Sequence, residues 1–365
     1  MWDIAIVGAG LSGLTCARQL RAAGYQVCVL DKSRGLGGRM ATRRVTGLVR
    51  VDHGLRYWED EAAIAPLTQE LLSEGVLKPW QANAYNLVAD GEIKKVPQPQ
   101  PVYIASSGMS AIAKYLAQGL VPEETLLSEY KVTSLTPYGQ PNDRGWRLEC
   151  EGGKVVMARR CAIAIPAPQI AELLNSSLAT VRPEEIPFDL DALAPLKAVT
   201  YEPCLTVLAG YDSHPNNEDP NGWRITDVVG TSTRWIGLDS SKRENPSETT
   251  VVIHSKPGFA MKYLNVGDLQ PAASVLLRAN ARKFGDWIAQ PNWFQIHRWR
   301  YAFIREPYSQ AVLSLCPSLV CGGDWCKPVS GESSSGQVSS RSVADSPIAA
   351  AYQSGLAMAK ILQTK

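Results

Sequence analysis

The sequence contains few of the residues from which metal centres and disulfide scaffolds are built. It has four histidines and eight cysteines among 365 residues, and no Cys-x-x-Cys pair. Cysteine is too sparse for a disulfide scaffold, and so few metal-binding side chains do not predict a zinc site. Cys16, Cys28 and Cys161 lie in apolar runs and are expected to be small core residues. The composition indicates a reduced, cytoplasmic compartment.

Long apolar runs and an excess of one charge are also missing. No stretch of about 18 uninterrupted apolar residues occurs, so we expect no membrane-spanning helix. The first residues lack a basic segment followed by an apolar run and a small-residue cleavage site, so we expect no secretion signal. The 37 basic and 35 acidic residues leave a net charge of +2, which argues against a nucleic-acid partner. With 45% hydrophobic and 20% charged residues, the composition is that of a globular protein, and the length suggests about two domains.

The N-terminal segment predicts a strand, a helix and a second strand. Residues 3–7 form a short apolar run typical of a buried parallel strand. Residues 27–30 form a second such run, which ends at Asp31. The apolar residues between the two runs recur at helical spacing, and they are Leu11, Leu14, Ala17 and Leu20.

The turn before this helix has the pattern Gly8-x-Gly10-x-x-Gly13. Gly8 permits a tight turn, Gly10 lets the backbone approach a pyrophosphate, and Gly13 lets the helix pack against the strand. The helix N-terminus, with Leu11 and Ser12, offers N–H donors to the phosphates. Asp31 is placed to accept hydrogen bonds from a ribose. A glycine-rich turn without a ligand is the alternative, and the matched strand, helix and acid disfavour it.

The remaining chain predicts an α/β protein in which a Rossmann-type FAD-binding domain carries an inserted, mainly antiparallel β substrate domain. Apolar runs at residues 161–165 and 319–321 extend the first sheet, and residues 348–362 form a last helix that Ser346 caps. Several strand-like runs between residues 190 and 296 form the second sheet. The FAD-binding domain is assigned residues 1–75, 104–185 and 297–365. The substrate domain is assigned residues 76–103 and 186–296.

Two further glycine motifs favour FAD over NAD. Gly38 can bring backbone near the diphosphate, and Arg39 can neutralise it. Gly323 and Asp324, at the far end of the chain, suggest a second diphosphate or ribityl contact. A long dinucleotide such as FAD needs contacts from both ends of the sequence. An NAD-binding domain usually forms its whole binding site from one continuous segment of chain.

These motifs resemble the flavoprotein amine-oxidase superfamily and, within it, the renalase family. The resemblance is carried by Asp31-Lys32-Ser33-Arg34-Gly35-Leu36-Gly37-Gly38-Arg39-Met40, Asp52-His53-Gly54-Leu55-Arg56-Tyr57, Val251-Val252-Ile253-His254 with Pro257-x-Phe259, Arg298-Trp299-Arg300 and Cys321-Gly322-Gly323-Asp324. It extends over nearly the whole chain. The chain departs from the family pattern after Asp324, where residues 327–346 are longer and rich in serine, and at Lys256, where a neutral residue is usual.

The resemblance implies non-covalent FAD and a fold like that of p-hydroxybenzoate hydroxylase. It implies oxidation of the 2-dihydro and 6-dihydro isomers of NAD(P)H to NAD(P), with dioxygen reoxidising the flavin and yielding hydrogen peroxide. It also implies that Val132 contacts the adenine through its backbone. The partners expected are therefore a small dinucleotide substrate and dioxygen or another electron acceptor. The predicted cofactor-binding residues are Gly8, Gly10, Leu11, Ser12, Gly13, Asp31, Lys32, Gly38, Arg39, Val132, Gly323, Asp324 and Ile348.

Tyr57, His254 and Trp299 are the candidates for the substrate side of the flavin. Aromatic side chains can pack a flat nicotinamide, and His254 can hydrogen-bond its carboxamide. Hydride transfer to a flavin needs no strong base, so the scarcity of histidine does not count against it. An ordinary core role for the three residues is the alternative. The last helix begins near Ile348 and could stabilise negative charge on the reduced flavin.

Two other functions stay open from the sequence. An amine or amino-acid oxidase would hold a neutral amine in an aromatic cage, which ten tryptophans and 13 tyrosines could build. A flavin-bearing binding protein without turnover is the third. Residues 31–56 carry seven basic and two acidic side chains, which favours an anionic dinucleotide over a cationic amine. Covalent flavin attachment at Cys326 is not expected, because the usual Gly-Gly-Cys pattern is absent.

Overall fold

The computed structural model describes residues 1–45, 47, 49–87, 92–97, 100–139, 144–212, 221–226, 231–327 and 346–364. Its strands are β1 (Trp2–Val7), β2 (Val27–Asp31), β3 (Thr42–Arg44), β4 (Arg50–Asp52), β5 (Trp58–Glu59), β6 (Lys78–Pro79), β7 (Asn83–Leu87), β8 (Ile93–Lys95), β9 (Val102–Ile104), β10 (Leu126–Ser128), β11 (Val132–Tyr138), β12 (Gly145–Cys150), β13 (Val155–Ile163), β14 (Thr200–Tyr211), β15 (Trp223–Thr226), β16 (Thr233–Leu238), β17 (Thr249–Ser255), β18 (Trp293–Glu306), β19 (Leu313–Cys316) and β20 (Leu319–Cys321).

The α-helices are α1 (Leu11–Ala22), α2 (Ala65–Ser73), α3 (Ser110–Leu116), α4 (Ala167–Leu178), α5 (Ala194–Ala198), α6 (Pro257–Lys262), α7 (Gln270–Phe284) and α8 (Pro347–Gln363). Among the helices of the described residues, none has the length and apolar character that crossing a membrane requires. The serine-rich segment that departs from the family pattern falls mostly at residues 328–345, outside the described residues.

The first sheet has the parallel core that the sequence predicts. Strands β10, β2, β1 and β13 lie side by side and parallel, and β20 joins β13 in the same direction. The antiparallel strands β12 and β11 extend the edge. Alternate residues of β1 serve opposite faces, because Ile4 and Ile6 pack with α1 and α8, whereas Ala5 and Val7 pack with α4. Helices therefore cover both faces, as in a Rossmann-type unit.

The second sheet is mainly antiparallel, in the order β18-β14-β17-β16-β15-β7-β8, and β15 and β7 form its one parallel pair among the described strands. One face packs on α6 and α7 through residues such as Val207 and Ile253. On the other face, here called the inner face, Leu208, Trp235 and Val252 join the core of the first unit. The inner face is therefore turned toward the Rossmann-type unit.

The predicted fold class, an α/β Rossmann-type unit with a mainly β substrate unit, is confirmed. The boundary assigned at residue 297 falls inside β18, which pairs with β14 in the second sheet. Strands β7 and β8, within the assigned segment 76–103, do belong to the second sheet, whereas β6 and β9 form a small sheet with β5. The residue limits of the two domains stay a prediction.

Candidate active site

The first glycine motif leaves a space between strand and helix. Gly8 has φ +109°, and a Cβ there would lie 2.5 Å from the Ala164 carbonyl oxygen. A Cβ on Gly13 would lie 1.9 Å from the Gly8 carbonyl oxygen. Both glycines are therefore required by close packing of the chain itself. A Cβ on Gly10 would meet nothing within 4 Å, so this glycine faces open space where a phosphate can approach.

The Asp31 carboxylate forms hydrogen bonds that hold the backbone of the glycine turn in place. Its Oδ2 accepts a hydrogen bond of 2.7 Å from the Ala9 amide, and its Oδ1 accepts one of 2.7 Å from the Ser33 amide. Its carbonyl oxygen accepts from the Tyr130 amide at 2.9 Å, which brings the segment before Val132 to the end of β2. A carboxylate retains further lone pairs, so a ribose contact at Asp31 and an adenine contact at Val132 stay predictions. Lys32 is exposed beside them.

The second glycine motif faces the first. Gly38 has φ +53°, and its Cβ would lie 3.6 Å from the Gly10 Cα, so two bare backbone segments border the same space. Arg39 follows, but its guanidinium is joined to Asp324, with Nη2 donating to Oδ1 at 2.7 Å and Nη1 contacting Oδ2. Nη1 also donates to the Tyr301 carbonyl at 3.3 Å. From the sequence, Arg39 and Asp324 are each predicted to contact the cofactor separately, and the structure pairs them with each other.

The Arg39–Asp324 pair has an electrostatic consequence. Burial raises the pKa of Asp324, and the adjacent Arg39 opposes that rise. Arg39 is 31% exposed at its side chain, so its outer edge can still contact a phosphate. Direct neutralisation of the diphosphate by Arg39 stays a prediction.

The last helix closes the cofactor side. The Gly323 amide donates to Ser354 Oγ at 2.9 Å, and a Cβ on Gly355 would lie 2.5 Å from the Ser12 carbonyl oxygen. Helix α8 therefore packs closely on α1. Ser346 caps α8, as predicted, by accepting from the Ala349 amide at 3.2 Å. Ile348 lies buried in the first turn.

These features fit a bound dinucleotide. The space bordered by Gly10 and Gly38 would be filled by a Cβ or by a phosphate, and a helix N-terminus points to it. The Asp31 carboxylate and the segment before Val132 lie at the end of β2, where a ribose and an adenine are predicted. Arg39 and Asp324, which come from opposite ends of the chain, meet in a salt bridge. Within the described residues, no group of three or more His, Cys, Asp or Glu side chains is arranged to hold a metal.

The inner face of the second sheet carries a row of polar and aromatic residues. Register places His254 opposite Thr206 on one side and opposite Trp235 on the other. Thr206 in turn lies opposite His297 of β18. His254 is 5% exposed, and neither of its ring nitrogens has a hydrogen-bond partner in the described part of the chain. A buried imidazole in this state is suited to a ligand that supplies the missing partner.

His53, His297 and Trp299 form a compact cluster next to this row. The His53 ring stacks on Trp299 with centroids 5.3 Å apart, and His297 lies 5.0 Å from His53 and 4.3 Å from Trp299. Trp299 Nε1 donates to the His53 carbonyl at 2.9 Å, which fixes the indole. We call the surface that His254, His297 and Trp299 form on the inner face the wall, and His53 packs against it. His53 and His297 were not among the predicted site residues, although His297 lies two residues from Trp299 and so on the same face of its strand.

Tyr57 lies in a cationic and aromatic environment. Its Oη accepts from Arg224 Nη1 at 3.0 Å, and its ring lies 6.0 Å from that of Trp80. The Arg56 guanidinium lies 5.5 Å from the Tyr57 ring centre and 5.6 Å from that of Trp235. The motif around residues 52–57 therefore reaches the second sheet near His254, and the predicted trio borders one region.

The electrostatics of this region keep its histidines neutral. Burial, reinforced by Arg56 and Lys242, lowers the pKa of His254 well below its usual value. Burial and His297 lower the pKa of His53 to about 4. The pKa of His297 is lowered by burial and by Arg43 and Arg298.

A buried ionic cluster lies beneath this wall, where the two units meet. Lys242 contacts Asp239 at 2.6 Å and Asp52 at 3.3 Å, and Arg243 contacts the same two carboxylates at 3.0 and 2.9 Å. Although burial alone would raise it, the pKa of Asp52 is lowered to about 2 by Arg243 and Lys242. Asp52 is thus held ionised, and both acids are paired with the two cations.

Comparison with known protein families identifies two regions of the chain. Residues 6–73 match the NAD(P)-binding Rossmann-like domain, and residues 89–362 match the flavin containing amine oxidoreductase family. Curated relatives match only locally. The L-amino-acid oxidase of Echis ocellatus is 52% identical over 42 residues, which is 12% of this chain and 8% of that protein. The lysine-specific histone demethylase 1 homolog 1 of Arabidopsis thaliana is 47% identical over 45 residues, which is 12% and 5%.

Solved structures match over the whole chain. Wild-type putrescine oxidase bound to putrescine superimposes with a TM-score of 0.69 at 14% identity, covering 98% of each chain. Cyclohexylamine oxidase from Brevibacterium oxydans gives a TM-score of 0.70 at 14% identity, covering 100% of each chain. At this identity the likeness shows the fold. The space bordered by Gly10 and Gly38 fits FAD as the cofactor. Because the family match covers residues 89–362, which is most of the sequence, the chain belongs to the flavin-containing amine oxidoreductase family.

Proposed function

We propose that this flavin-dependent oxidoreductase oxidises the 2-dihydro and 6-dihydro isomers of NAD(P)H to NAD(P), with dioxygen as electron acceptor and hydrogen peroxide as the second product. The observation that carries the proposal is the wall formed by His254, His297 and Trp299. Its histidines are neutral, its nearby acids are paired, and arginines surround it. Such a site suits an uncharged dihydropyridine ring attached to an anionic dinucleotide. The resemblance to the renalase family supports the same substrate.

The proposed reaction requires no proton transfer from the substrate to a side chain. Bound FAD supplies the acceptor for the hydride, and the substrate ring becomes an aromatic pyridinium without losing a proton to a side chain. The task of the chain is therefore to place the ring and to exclude water. Neutral histidines and indole rings do this without providing a strong base.

His254 is proposed to hold the substrate carboxamide. A neutral imidazole has one N–H donor and one acceptor nitrogen, which complement the carbonyl and the amino group of a carboxamide. Both His254 nitrogens are buried, so a neighbouring side chain must move to admit the substrate. Arg56, whose guanidinium lies over Trp235 and lowers the pKa of His254, is the side chain we propose to move.

Trp299 is proposed to form a fixed wall for the ring. Its indole N–H is used by the His53 carbonyl, and its face stacks on the His53 imidazole. An aromatic surface held from two sides loses little side-chain freedom when a ligand binds, and so positions a flat ring at low entropic cost. Tyr57, held by Arg224, is proposed to border the same ring.

Amine oxidation is the second candidate. The aromatic rings of Tyr57, Trp80 and Trp235, together with the structural likeness to putrescine and cyclohexylamine oxidases, favour it. A protonated amine would have to enter beside Arg56, whose guanidinium lies over the Tyr57 and Trp235 rings and repels it. The cationic surroundings therefore favour the dinucleotide.

We further propose that the flavin is bound non-covalently. All eight cysteines are free and buried. Burial raises the pKa of the Cys326 thiol to about 12, so the thiolate needed for attachment is scarce at neutral pH. Denaturation with acid should release all of the yellow chromophore from the protein.

The proposed reaction is tested by its products. Purified protein is supplied in air with 6-dihydro-NAD or 2-dihydro-NAD, and NAD and hydrogen peroxide are quantified together with the dioxygen consumed. The proposal predicts one NAD and one peroxide per dioxygen. Peroxide formed with putrescine or cyclohexylamine, but not with either isomer, would replace it with amine oxidation.

A further inference from the structure

Arg43 occupies the exposed end of the wall described above. It belongs to β3, which pairs only with β4 among the described strands. Its Nε donates to Gln295 Oε1 at 3.1 Å. Gln295 lies two residues before His297 and therefore on the same face of β18.

The inner face of β18 forms a continuous track. From the cofactor end it presents the Tyr301 carbonyl bound by Arg39, then Trp299, then His297, then Gln295 with Arg43. Trp299 and His297 are partly buried, whereas Arg43 is exposed. Four residues separate Trp299 from Gln295, which is roughly 13 Å along a strand. An extended nicotinamide, its ribose and the first phosphate span a comparable length.

Three other arginines near this strand are either paired with an acid or lie on its opposite face. Arg39 is paired with Asp324. On the opposite face, Arg298 donates to the Tyr263 and Val266 carbonyls, and Arg300 donates to that of Leu264. Arg43 lies on the inner-face side of β18, and the neutral amide of Gln295 orients it there without cancelling its charge. That charge reaches the site, because it contributes to the lowered pKa values of His53 and His297.

We propose that Arg43 is the residue that binds a phosphate of the dinucleotide substrate. The inference rests on the proposed function and specifies its substrate class, since it assigns the enzyme to phosphorylated nicotinamides over the bare riboside. The guanidinium donates charge-assisted hydrogen bonds to the phosphate oxygens, and Gln295 holds it at the outer end of the track. Arg43 is thus a specificity-determining residue outside the predicted site.

The test compares Arg43→Ala and Arg43→Lys with the parent on ligands that differ in phosphate. Flavin absorbance measures equilibrium binding of NAD and of nicotinamide riboside. Anaerobic stopped-flow measures flavin reduction by the 6-dihydro forms of both. Arg43→Ala should weaken NAD binding about tenfold at low salt and change riboside binding by less than about twofold, the scale of one charge-assisted contact. Arg43→Lys should keep part of the affinity, because it keeps the charge but not the fork geometry.

Arg300→Ala is the matched control, because it removes the same charge from the opposite face of the same strand. It should leave both affinities as in the parent. Equal losses for NAD and riboside in Arg43→Ala, or none for NAD, would overturn the role of Arg43 while leaving the proposed function standing. If neither dihydro compound reduces the flavin of the parent, the proposed function itself fails.

Discussion

At the scale of single residues, the glycines of the first turn separate folding from cofactor binding. Gly10 has φ −83°, which any residue adopts, and a Cβ there meets no protein atom within 4 Å. Gly10→Val should therefore fold normally but lose FAD, because the branched side chain fills the space that the diphosphate needs. Circular dichroism and the flavin-to-protein absorbance ratio check this. Gly267→Val, also at an open position, is the control and should keep FAD. A Gly10→Val protein with a full complement of FAD would refute the loop assignment.

His254 is predicted to act on substrate orientation and not on the cofactor. His254→Ala should keep FAD and its fold, yet reduce its flavin about ten- to a hundred-fold more slowly with 6-dihydro-NAD, the range expected for a lost positioning contact. Reoxidation by dioxygen should change much less, since it does not use the carboxamide. Stopped-flow on the two half-reactions separates these effects. Loss of FAD would assign His254 to the core instead, and an unchanged reductive rate would remove it from the site.

The neutral histidines predict an acid-sensitive fold. The pKa of His53 is about 4 in the folded chain against 6.5 in its usual state, so the unfolded chain binds more protons between these values. Stability should thus be full above pH 6.5 and fall toward pH 4, by at most about 1.4 kcal/mol per pH unit for one histidine. The loss from Asp52 comes later, toward its pKa of about 2. Urea unfolding at several pH values measures the slope, which His53→Gln should reduce. An unchanged slope in that variant would contradict the assignment.

At this scale the sequence predicts part of the candidate site and not the rest. Tyr57, His254 and Trp299 could be predicted because recognisable motifs contain them. His53 and His297 could not be linked, because His53 follows β4 and His297 lies in β18, so the two rings meet only in the folded chain. The Arg39–Asp324 pair was equally hidden. Each residue has a plausible role toward the cofactor by itself, and only the fold shows that they share a salt bridge.

At the scale of elements, the sequence pattern predicts those strands and helices whose structure depends on interactions between neighbouring residues. Strand β1, helix α1 and strand β2 follow from apolar periodicity and glycine placement, and the start of α8 follows from Ser346 and Pro347. Two-residue strands such as β5 and β6, and the parallel pairing of β15 with β7, depend on distant partners. Neither leaves a periodic signal in the sequence.

The contact of α8 with α1 gives a prediction at this scale. Gly355→Ala would place a Cβ 2.5 Å from the Ser12 carbonyl oxygen, so the helices must separate, at a cost of about 1–3 kcal/mol. Gly258→Ala, in α6, meets nothing within 4 Å and should be neutral or slightly stabilising because alanine favours helix. In thermal unfolding of the two FAD-loaded variants, the midpoint temperature should fall in Gly355→Ala. In Gly258→Ala it should stay unchanged or rise. Equal midpoints would show that α8 is not packed as described.

At the scale of the whole molecule, the buried ionic cluster joins the two units. Lys242 is fully buried, and Asp52 also accepts from the Thr42 hydroxyl at 2.7 Å and from the Met109 amide at 2.9 Å. Lys242→Met should cost about 3–5 kcal/mol, because it leaves one buried carboxylate charge uncompensated. Asp239→Asn combined with Lys242→Met restores the balance of charge and should recover part of the loss. Urea unfolding measures both, and a double variant less stable than Lys242→Met would contradict this.

We propose that this flavoprotein oxidises dihydronicotinamide isomers at the wall formed by His254, His297 and Trp299. The most direct measurement is anaerobic bleaching of the bound flavin, followed at its visible absorption band after mixing with one equivalent of reductant. We expect rapid and complete bleaching by 6-dihydro-NAD or 2-dihydro-NAD, and slow or no bleaching by putrescine, cyclohexylamine or an L-amino acid. Rapid bleaching by an amine with none by either isomer would contradict it, and a flavin that none of them bleaches would indicate a binding protein without turnover.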